Sequence, residues 1–272
     1  EKFGELLLKQ ILWFAQANDY DLVYLTVFPK HEFLVTLLEG YGFTITTRRD
    51  NGELFMEKPI VKGPIARTAA PIIEQQRNVY PRFYDGDGTG KFCIPIKPEY
   101  HQRLFPEIAR GSVLPLFGEL PLTAAAKTKD DRIPGNTIRK VYVCKAKVRQ
   151  IKPGDIIVFY VSKDDTYAAS QSVTTVGIVE QVTEVTNADD LVRLTAKRSV
   201  YSVDELNGMM PSVASPVLAI DFLLVGHLDP EIKLKTLVNE GVFVARPPQS
   251  IASLTGERYA ALRSMLNLGF PI

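Results

Sequence analysis

Hydrophobic and polar positions in the first part of the chain change their period from one segment to the next. In Lys2–Asn18 apolar side chains recur every three or four positions, which predicts an amphipathic helix with one buried face. Asp21–Val27 is rich in β-branched and aromatic residues and alternates little, as is typical of a strand covered on both faces. A second helix is predicted over His31–Tyr41, where Gly40 and Gly42 favour a left-handed C-terminal cap.

A predicted hairpin completes this first unit. Phe43–Arg48 and Leu54–Lys58 have strand character, and the turn Asp50–Asn51–Gly52 between them favours positive φ. The pattern therefore predicts an α-β-α-β-β unit over residues 1–60, without a strand before its first helix. One edge of the strand Asp21–Val27 stays unpaired in such a unit unless another segment covers it.

From Lys91 onward the pattern changes to strands with short helices. Strands are predicted at Lys91–Lys97, Lys140–Ala146, Asp155–Ser162, Thr174–Val185 and Val217–Leu224. Helices are predicted at Glu99–Ile108, Ala188–Thr195, Val203–Met209, Asp229–Asn239 and Arg258–Leu266. Strands that follow one another without long helices favour an antiparallel, barrel-like sheet. The predicted fold class is α+β, with a partial α/β unit followed by an antiparallel β-barrel with peripheral helices.

A linker is predicted over residues 61–89, between the first unit and the β-rich part at 90–272. Gly63–Pro64, Pro71 and Pro81 interrupt the pattern there, and Ile65–Gln76 has the character of a short helix. Asp85–Gly86–Asp87–Gly88 closes the linker with carboxylates at alternate positions, which invites a calcium interpretation. No further acids follow at loop spacing, so a solvated turn is favoured.

Composition limits the function classes only loosely. The chain has 272 residues, 46% of them apolar, which is enough for about two packed domains. Its net charge of +1 commits it as a whole neither to nucleic acid nor to a membrane. No stretch approaches the roughly twenty apolar residues of a membrane helix, and two cysteines and three histidines show no metal spacing. A cytoplasmic protein without a metal is expected.

The first unit resembles the trailing half of the GNAT N-acetyltransferase fold. The resemblance lies in Phe3–Leu8, Leu22–Val27 and Leu37–Phe43. It implies acetyl-CoA as cofactor, with its pyrophosphate held by the backbone N–H groups of a glycine-rich loop at a helix N-terminus. Gly4 matches the last glycine of that loop, so Lys2, Phe3 and Gly4 are the predicted cofactor-binding residues, and the rest of the loop would precede residue 1.

The catalytic positions of that family are only partly matched. His31 stands where many relatives have Asn, and Leu38 stands where a Tyr often serves as general acid. Tyr41 is a helical neighbour of Leu38 and is the predicted catalytic residue, with core packing as the competing interpretation. Residues 1–60 are therefore expected to be inactive as they stand, and an upstream segment or a second chain is expected to complete the sheet. The acyl acceptor is not indicated.

The β-rich part resembles a PUA-like domain of the ASCH or EVE kind. The resemblance is carried by Ile133–Lys140, Lys152–Tyr160, Val176–Val182 and Arg246–Ile251. In Lys152–Asp155, proline fixes φ at the second position and glycine takes positive φ at the third. The resemblance implies binding of RNA or a modified nucleotide. An ASCH signature glutamate is missing from Asn136–Lys140, which favours binding over catalysis.

Local charge agrees with binding of a phosphate backbone. The segment from position 127 to 152 contains nine basic residues but only two acidic ones, Asp130 and Asp131. The basic residues are Lys127, Lys129, Arg132, Arg139, Lys140, Lys145, Lys147, Arg149 and Lys152. The alternative is that lysines keep strand edges soluble. The predicted binding residues are Asn136, Arg139, Lys140, Lys145, Lys147 and Tyr160, with Tyr142 and Tyr167 as further stacking candidates.

Three functions remain open at this point. The first is an acetyltransferase module joined to a module that binds RNA or a modified nucleotide. The second is a non-enzymatic nucleic-acid-binding or regulatory protein with a degenerate GNAT scaffold, and the third is a binder of a small nucleotide-like ligand. A short helix with Tyr100, His101 and Arg103 offers acid–base chemistry, although capping and packing are favoured for it.

Overall fold

The computed structural model describes residues 2–109, 138–195 and 201–272. In chain order the elements are α1 (Lys2–Ala17), β1 (Leu22–Val27), α2 (Glu32–Glu39), β2 (Thr44–Arg48), β3 (Leu54–Pro59), α3 (Ile72–Val79), β4 (Lys91–Ile96), α4 (Pro98–Leu104), α5 (Pro106–Ala109), β5 (Arg139–Cys144), β6 (Ile156–Val161), β7 (Ser172–Val185), α6 (Ala188–Thr195), α7 (Val203–Gly208), β8 (Val217–Lys233), α8 (Leu234–Asn239), β9 (Ala252–Ser253) and α9 (Gly256–Arg263). None of the helices in these ranges is long and apolar enough to cross a membrane.

The first unit has the predicted α-β-α-β-β order of elements. Its small sheet has the strand order β1-β3-β2, and both pairings are antiparallel. Gly42 leaves α2 with a φ of 82°, and Gly52 has a φ of 87° in the hairpin turn. The left-handed conformation is therefore present at Gly42 and Gly52, whereas Gly40, the C-cap residue of α2, is right-handed with a φ of −61°.

The prediction that the first strand is covered on both faces is wrong. β1 lies at the edge of its sheet, and β3 is its one neighbour among the described strands. Val23, Leu25 and Val27 face the core, whereas Leu22 is 40% exposed and Tyr24 is 63% exposed. Continuous apolar character predicted two covered faces because a sequence does not show whether the second layer is present.

The large sheet is mainly antiparallel and has the strand order β5-β8-β7-β6-β4-β9. One pairing, between β4 and β6, is parallel. The end strands β5 and β9 do not pair with each other in the described part of the chain, so the predicted barrel is not closed there. The α+β class and the predominance of antiparallel pairing agree with the sequence.

The strand β8 is longer than predicted and replaces the first half of a predicted helix. Asp229–Asn239 was expected to be helical, but β8 continues to Lys233 and α8 begins at Leu234. The cause is pairing with β7, in which Val173 lies opposite Ile232. Strand partners that are distant in sequence thus outweigh the local preference.

One hydrophobic cluster connects the first unit with the large sheet. It includes Leu12 and Met56 from the first unit and Val158 and Leu223 from the sheet. Within the predicted linker, α3 carries Gln76, which is fully buried and donates to the backbone oxygens of Tyr84 and Gly154, each at 2.8 Å. Residues 61–89 thus pack as part of the core, and the proposed division into domains stays a prediction.

Candidate functional site

A pocket of about 190 Å³ opens where the ends of β4 and β6 meet the start of β7. Its wall comes from three parts of the chain: the two strand ends, the connection from β6 to β7, and a proline-rich segment before β9. The lining residues are Pro95, Tyr160, Ser162, Lys163, Gln171, Pro247, Pro248 and Gln249. Tyr160 is the one predicted binding residue among them.

Two backbone irregularities shape this pocket. The pairing of β6 with β7 shifts register between Phe159 and Tyr160, which is a β-bulge or similar irregularity. Gln171, the residue before β7, has a φ of 53° although it is not glycine. Bulges re-aim side chains, and left-handed non-glycine residues persist where the surroundings enforce them, so both features are concentrated at functional sites.

Tyr160 is the one buried residue among those that line the pocket. The side chain is 1% exposed, and its hydroxyl has no hydrogen-bond partner among the described residues. Burial raises the pKa of Tyr160 to about 12, so the hydroxyl stays protonated and able to donate. A buried hydroxyl without a partner costs about 1–3 kcal/mol. Such a group is rare in folded proteins, and the Tyr41 hydroxyl is a second example among the described residues.

The other lining groups combine polar edges with flat apolar walls. Gln171 and Gln249 contribute amides, each of which can donate and accept hydrogen bonds. Lys163 contributes an ammonium whose side chain is 70% exposed and lies 3.8 Å from Asp165. Three prolines contribute the apolar surfaces. The arrangement suits a flat ring with hydrogen-bonding edges and an anionic group beside the lysine.

A buried polar chain anchors the connection from β6 to β7. His101 is fully buried and lies between the Tyr167 hydroxyl, 2.9 Å from Nδ1, and the Thr174 hydroxyl, 2.8 Å from Nε2. The chain continues through Thr175 to Nδ1 of His227 at 3.0 Å. The predicted acid–base residue His101 is thus enclosed in a structural network. Through Tyr167 it fixes the connection that carries three of the pocket's lining residues, Ser162, Lys163 and Gln171.

Arg139 and Lys140, two of the predicted nucleic-acid readers, have partners inside the protein. Arg139 forms an ion pair with Glu180 at 3.0 Å and a longer one with Glu5 at 3.6 Å. Lys140 is 3% exposed and donates to the backbone oxygen of Leu104 at 2.7 Å. Both cations are used for packing β5 in this structure, and a role in binding stays a prediction.

Lys145 and Lys147 are exposed and follow the end of β5. On the same strand, the Tyr142 hydroxyl donates to the backbone oxygen of Pro95, which lines the pocket, at 3.2 Å. Neither lysine is among the residues that line the pocket, and their role in binding stays a prediction. Asn136 lies outside the described residues, as do Lys127, Lys129 and Arg132.

The predicted acetyl-transfer residues gain no support from the geometry. Tyr41 is completely buried, with its ring centroid 5.6 Å from that of Tyr80 and 5.5 Å from the Arg139 guanidinium. Burial raises the pKa of the Tyr41 hydroxyl, which no substrate reaches in this conformation. Lys2, Phe3 and Gly4 form the start of α1, and Gly4 is exposed. Binding of acetyl-CoA there stays a prediction.

Most pocket residues were missed at the level of sequence. Gln171 follows a polar loop and gives no sign of its left-handed backbone. The one usable signal is Arg246–Pro247–Pro248–Gln249, which the resemblance assigns to the end of the domain and not to the wall of a site. Within the described residues, no group of three or more His, Cys, Asp or Glu side chains is placed to hold a metal ion.

Comparison with known proteins gives a distant likeness of fold. No protein-family model and no curated protein matches the sequence significantly. Among solved structures, the ASCH protein from Zymomonas mobilis is 16% identical with a TM-score of 0.42, covering 65% of this chain and 96% of that one. Two point mutants of that protein are 13% identical with TM-scores of 0.44, covering 65% of this chain and 96% or 99% of theirs. Likeness at this level assigns neither a family nor an activity to the chain.

Proposed function

We propose that the β-rich part of the protein binds a single nucleobase, either one base of a single-stranded RNA or a modified nucleoside, in the pocket around Tyr160. The observation that carries the proposal is Tyr160, which lines the pocket and has a buried hydroxyl without a partner among the described residues. A ligand with an acceptor or donor on its edge would supply the missing hydrogen bond.

The size of the pocket limits what can enter it. Sites for drug-sized ligands have volumes of about 300–1,000 Å³. At about 190 Å³, this pocket accommodates one ring system but not a dinucleotide. A base extruded from a single strand, with its ribose and phosphate left outside, fits this limit.

The chemistry of the lining groups favours a base over other flat molecules. Gln171 and Gln249 offer paired donors and acceptors of the kind that recognise base edges. Proline rings supply apolar faces to the flat surfaces of a base. Lys163, whose side chain is 70% exposed, would pair with the phosphate of the same nucleotide.

Calorimetric titration with the four ribonucleoside monophosphates and their base-methylated forms tests this proposal. Tyr160→Phe keeps the ring and removes the hydroxyl, and it should weaken binding about tenfold. The same change should raise the free energy of unfolding by about 1 kcal/mol, because an unpaired buried hydroxyl is removed. Tyr80→Phe is the matched control: its hydroxyl donates to Leu224 O at 2.9 Å, so this variant should bind normally and lose stability.

Two results would contradict nucleobase binding in the pocket. One is the absence of binding heat for every nucleotide, and the other is unchanged affinity in Tyr160→Phe. Titration with a short single-stranded RNA distinguishes binding in the pocket from binding at the basic surface after β5, which contains Lys145 and Lys147. If Lys145→Ala and Lys147→Ala abolish RNA binding and flatten its salt dependence while Tyr160→Phe does nothing, RNA is bound by that surface instead.

A further inference from the structure

Exposed large apolar side chains are concentrated in the first 45 residues. Nine of them are between 37% and 63% exposed: Leu7, Phe14, Tyr20, Leu22, Tyr24, Phe28, Phe33, Leu34 and Ile45. The much longer remainder of the described chain has five: Leu194, Val203, Met210, Val213 and Val244. Single exposed apolar residues are ordinary, whereas a concentration of them marks an interaction surface.

The open edge of β1 lies within this apolar region. Asp21 O accepts a hydrogen bond from Ile60 N at 2.9 Å, just outside the paired residues Leu22 and Pro59. Because alternate residues of a strand direct their backbone groups to opposite edges, Leu22, Tyr24 and Thr26 direct their N–H and C=O groups away from β3. This row of donors and acceptors has no strand partner in the described part of the chain.

The two edges of the small sheet are protected to different degrees. β2, the other edge strand, has the sequence TITTR and a register irregularity against β3 between Ile45 and Thr47. Polar residues, an arginine and an irregular register discourage edge-to-edge pairing. β1 has the sequence LVYLTV and a regular register, with no charge and no proline. Of the two, β1 is the edge suited to another strand.

The outward groups of β1 match a second copy of the same strand. In an antiparallel pair with Tyr24 opposite Tyr24 of the other copy, Leu22 lies opposite Thr26, and all three outward residues can form ladder hydrogen bonds. On the inner face the same register places Val23 opposite Leu25 of the other copy. Both faces therefore bring apolar side chains next to each other across the join.

Charge favours the same antiparallel arrangement. Asp19 and Asp21 are highly exposed, with side-chain exposures of 84% and 91%, and share Lys62 as a partner. Lys30 is exposed at the opposite end of the strand. Antiparallel pairing brings the acidic end of one copy towards Lys30 of the other, twice in a symmetric join.

We propose that β1 pairs antiparallel with β1 of a second copy of this chain, which joins two three-stranded sheets into one of six strands. The contact is isologous and closes after two copies, as a two-fold axis requires. It also buries the apolar side chains at the edge, and this removal of apolar surface from water favours association. The proposal is independent of the pocket around Tyr160.

Sedimentation of the 272-residue chain tests the proposal. The wild type should sediment as a dimer, with twice the monomer mass of 30.4 kDa. Tyr24→Lys places a charge on an already exposed edge position and should give a monomer with an unchanged circular dichroism spectrum. Thr26→Pro should do the same, since it removes an outward N–H but none that pairs with β3.

Ile45→Lys is the matched control on the protected edge. Ile45 is 46% exposed on β2, so this variant should remain dimeric. A wild-type chain that is monomeric at every soluble concentration overturns the proposal, and so does a dimer that persists in Tyr24→Lys. Nucleotide binding should be the same in Tyr24→Lys as in the wild type, so failure of the dimer is distinguishable from failure of the pocket.

Discussion

Buried tyrosines in this protein differ mainly in what their hydroxyls contact. Tyr80 donates to Leu224 O at 2.9 Å, Tyr142 donates to Pro95 O at 3.2 Å, and Tyr259 contacts a carboxylate oxygen of Asp85 at 2.8 Å. Tyr160 is as buried as Tyr80 but has no such partner among the described residues. The sequence does not show this difference, because it does not identify the distant group that each hydroxyl contacts. The Tyr41 hydroxyl also has no partner among the described residues, so Tyr160 is the candidate binding residue because it additionally lines the pocket.

Lys58 is a second residue with an unusual environment, because its ammonium group is buried. Its side chain is 1% exposed, and its ammonium donates to the backbone oxygen of Asn78 at 2.5 Å. Burial lowers the pKa of Lys58 to about 7 from 10.5. The folded protein thus binds this proton less tightly than the unfolded chain, in which the pKa keeps its ordinary value.

Lys58→Met should remove a pH dependence of stability. Between about pH 7 and 10.5 the unfolded state holds more protons at this site, so the free energy of unfolding rises with pH across that window and the burial penalty is greatest below it. A shift of this size corresponds to roughly 5 kcal/mol. Urea unfolding at several pH values should show a wild-type slope that Lys58→Met lacks. Lys62→Met, at an exposed position, should keep the wild-type slope, and an equal slope in all three proteins would contradict the assignment.

At the scale of elements, the turn before β6 sets the register on which the pocket depends. Asp155 is 1% exposed, and its carboxylate accepts hydrogen bonds from Gly90 N at 2.7 Å and from Lys152 N at 2.9 Å. This contact joins the starts of β4 and β6, which then run parallel until Pro95 lies beside Tyr160. Both of those residues line the pocket. The carboxylate therefore fixes strands whose far ends form the proposed site.

Asp155→Asn should destabilise the protein although it preserves shape. The amide has one oxygen, so one of the two backbone N–H groups loses its acceptor and faces an NH₂ group. Leaving a buried donor unsatisfied costs about 1–3 kcal/mol, which urea unfolding measures directly. Asp165→Asn, in the exposed connection after β6, is the control and should change stability by less than about 0.5 kcal/mol. Equal stabilities of the two variants would show that the hydrogen bonds from Gly90 N and Lys152 N to Asp155 do not stabilise the fold.

Elements were predictable from sequence where local signals and long-range pairing agree. The helix Ala188–Thr195 was predicted with its observed bounds, and Gly154 takes the left-handed φ of 92° that its turn demanded. Asp229–Lys233 was not predictable, because its strand state depends on pairing with β7, more than fifty positions earlier. The pocket was not predictable from the sequence for the same reason. Its walls come from segments near 95, 160, 171 and 248, which no local pattern relates.

At the scale of the whole molecule, a partly buried ionic network joins the first unit to the large sheet. Glu180 on β7 contacts Arg139 on β5 at 3.0 Å and Arg77 on α3 at 3.1 Å. Glu5 on α1 lies 3.6 Å from Arg139, whose guanidinium also faces the Tyr41 ring. The side chain of Glu180 is 9% exposed, so its charge interacts in a poorly screened environment.

Glu180→Gln should therefore weaken the connection between the two parts of the molecule. It leaves two arginines near each other without the central carboxylate, and breaking such a buried pair costs about 3 kcal/mol. Glu184→Gln is the matched control on the same strand, because Glu184 pairs with Arg149 at 2.6 Å on the surface, where a pair contributes about 0–1 kcal/mol.

Thermal unfolding of these variants also tests the predicted division at residues 61–89. The shared hydrophobic cluster favours one cooperative transition in the wild type, since the two parts bury each other's apolar surface. With the network broken, a lower midpoint in a single transition means that the two parts unfold as one body. The alternative result is two transitions in Glu180→Gln and one in Glu184→Gln. It would mean that each part has a core of its own and that the ion pairs of Glu180 hold the two parts together.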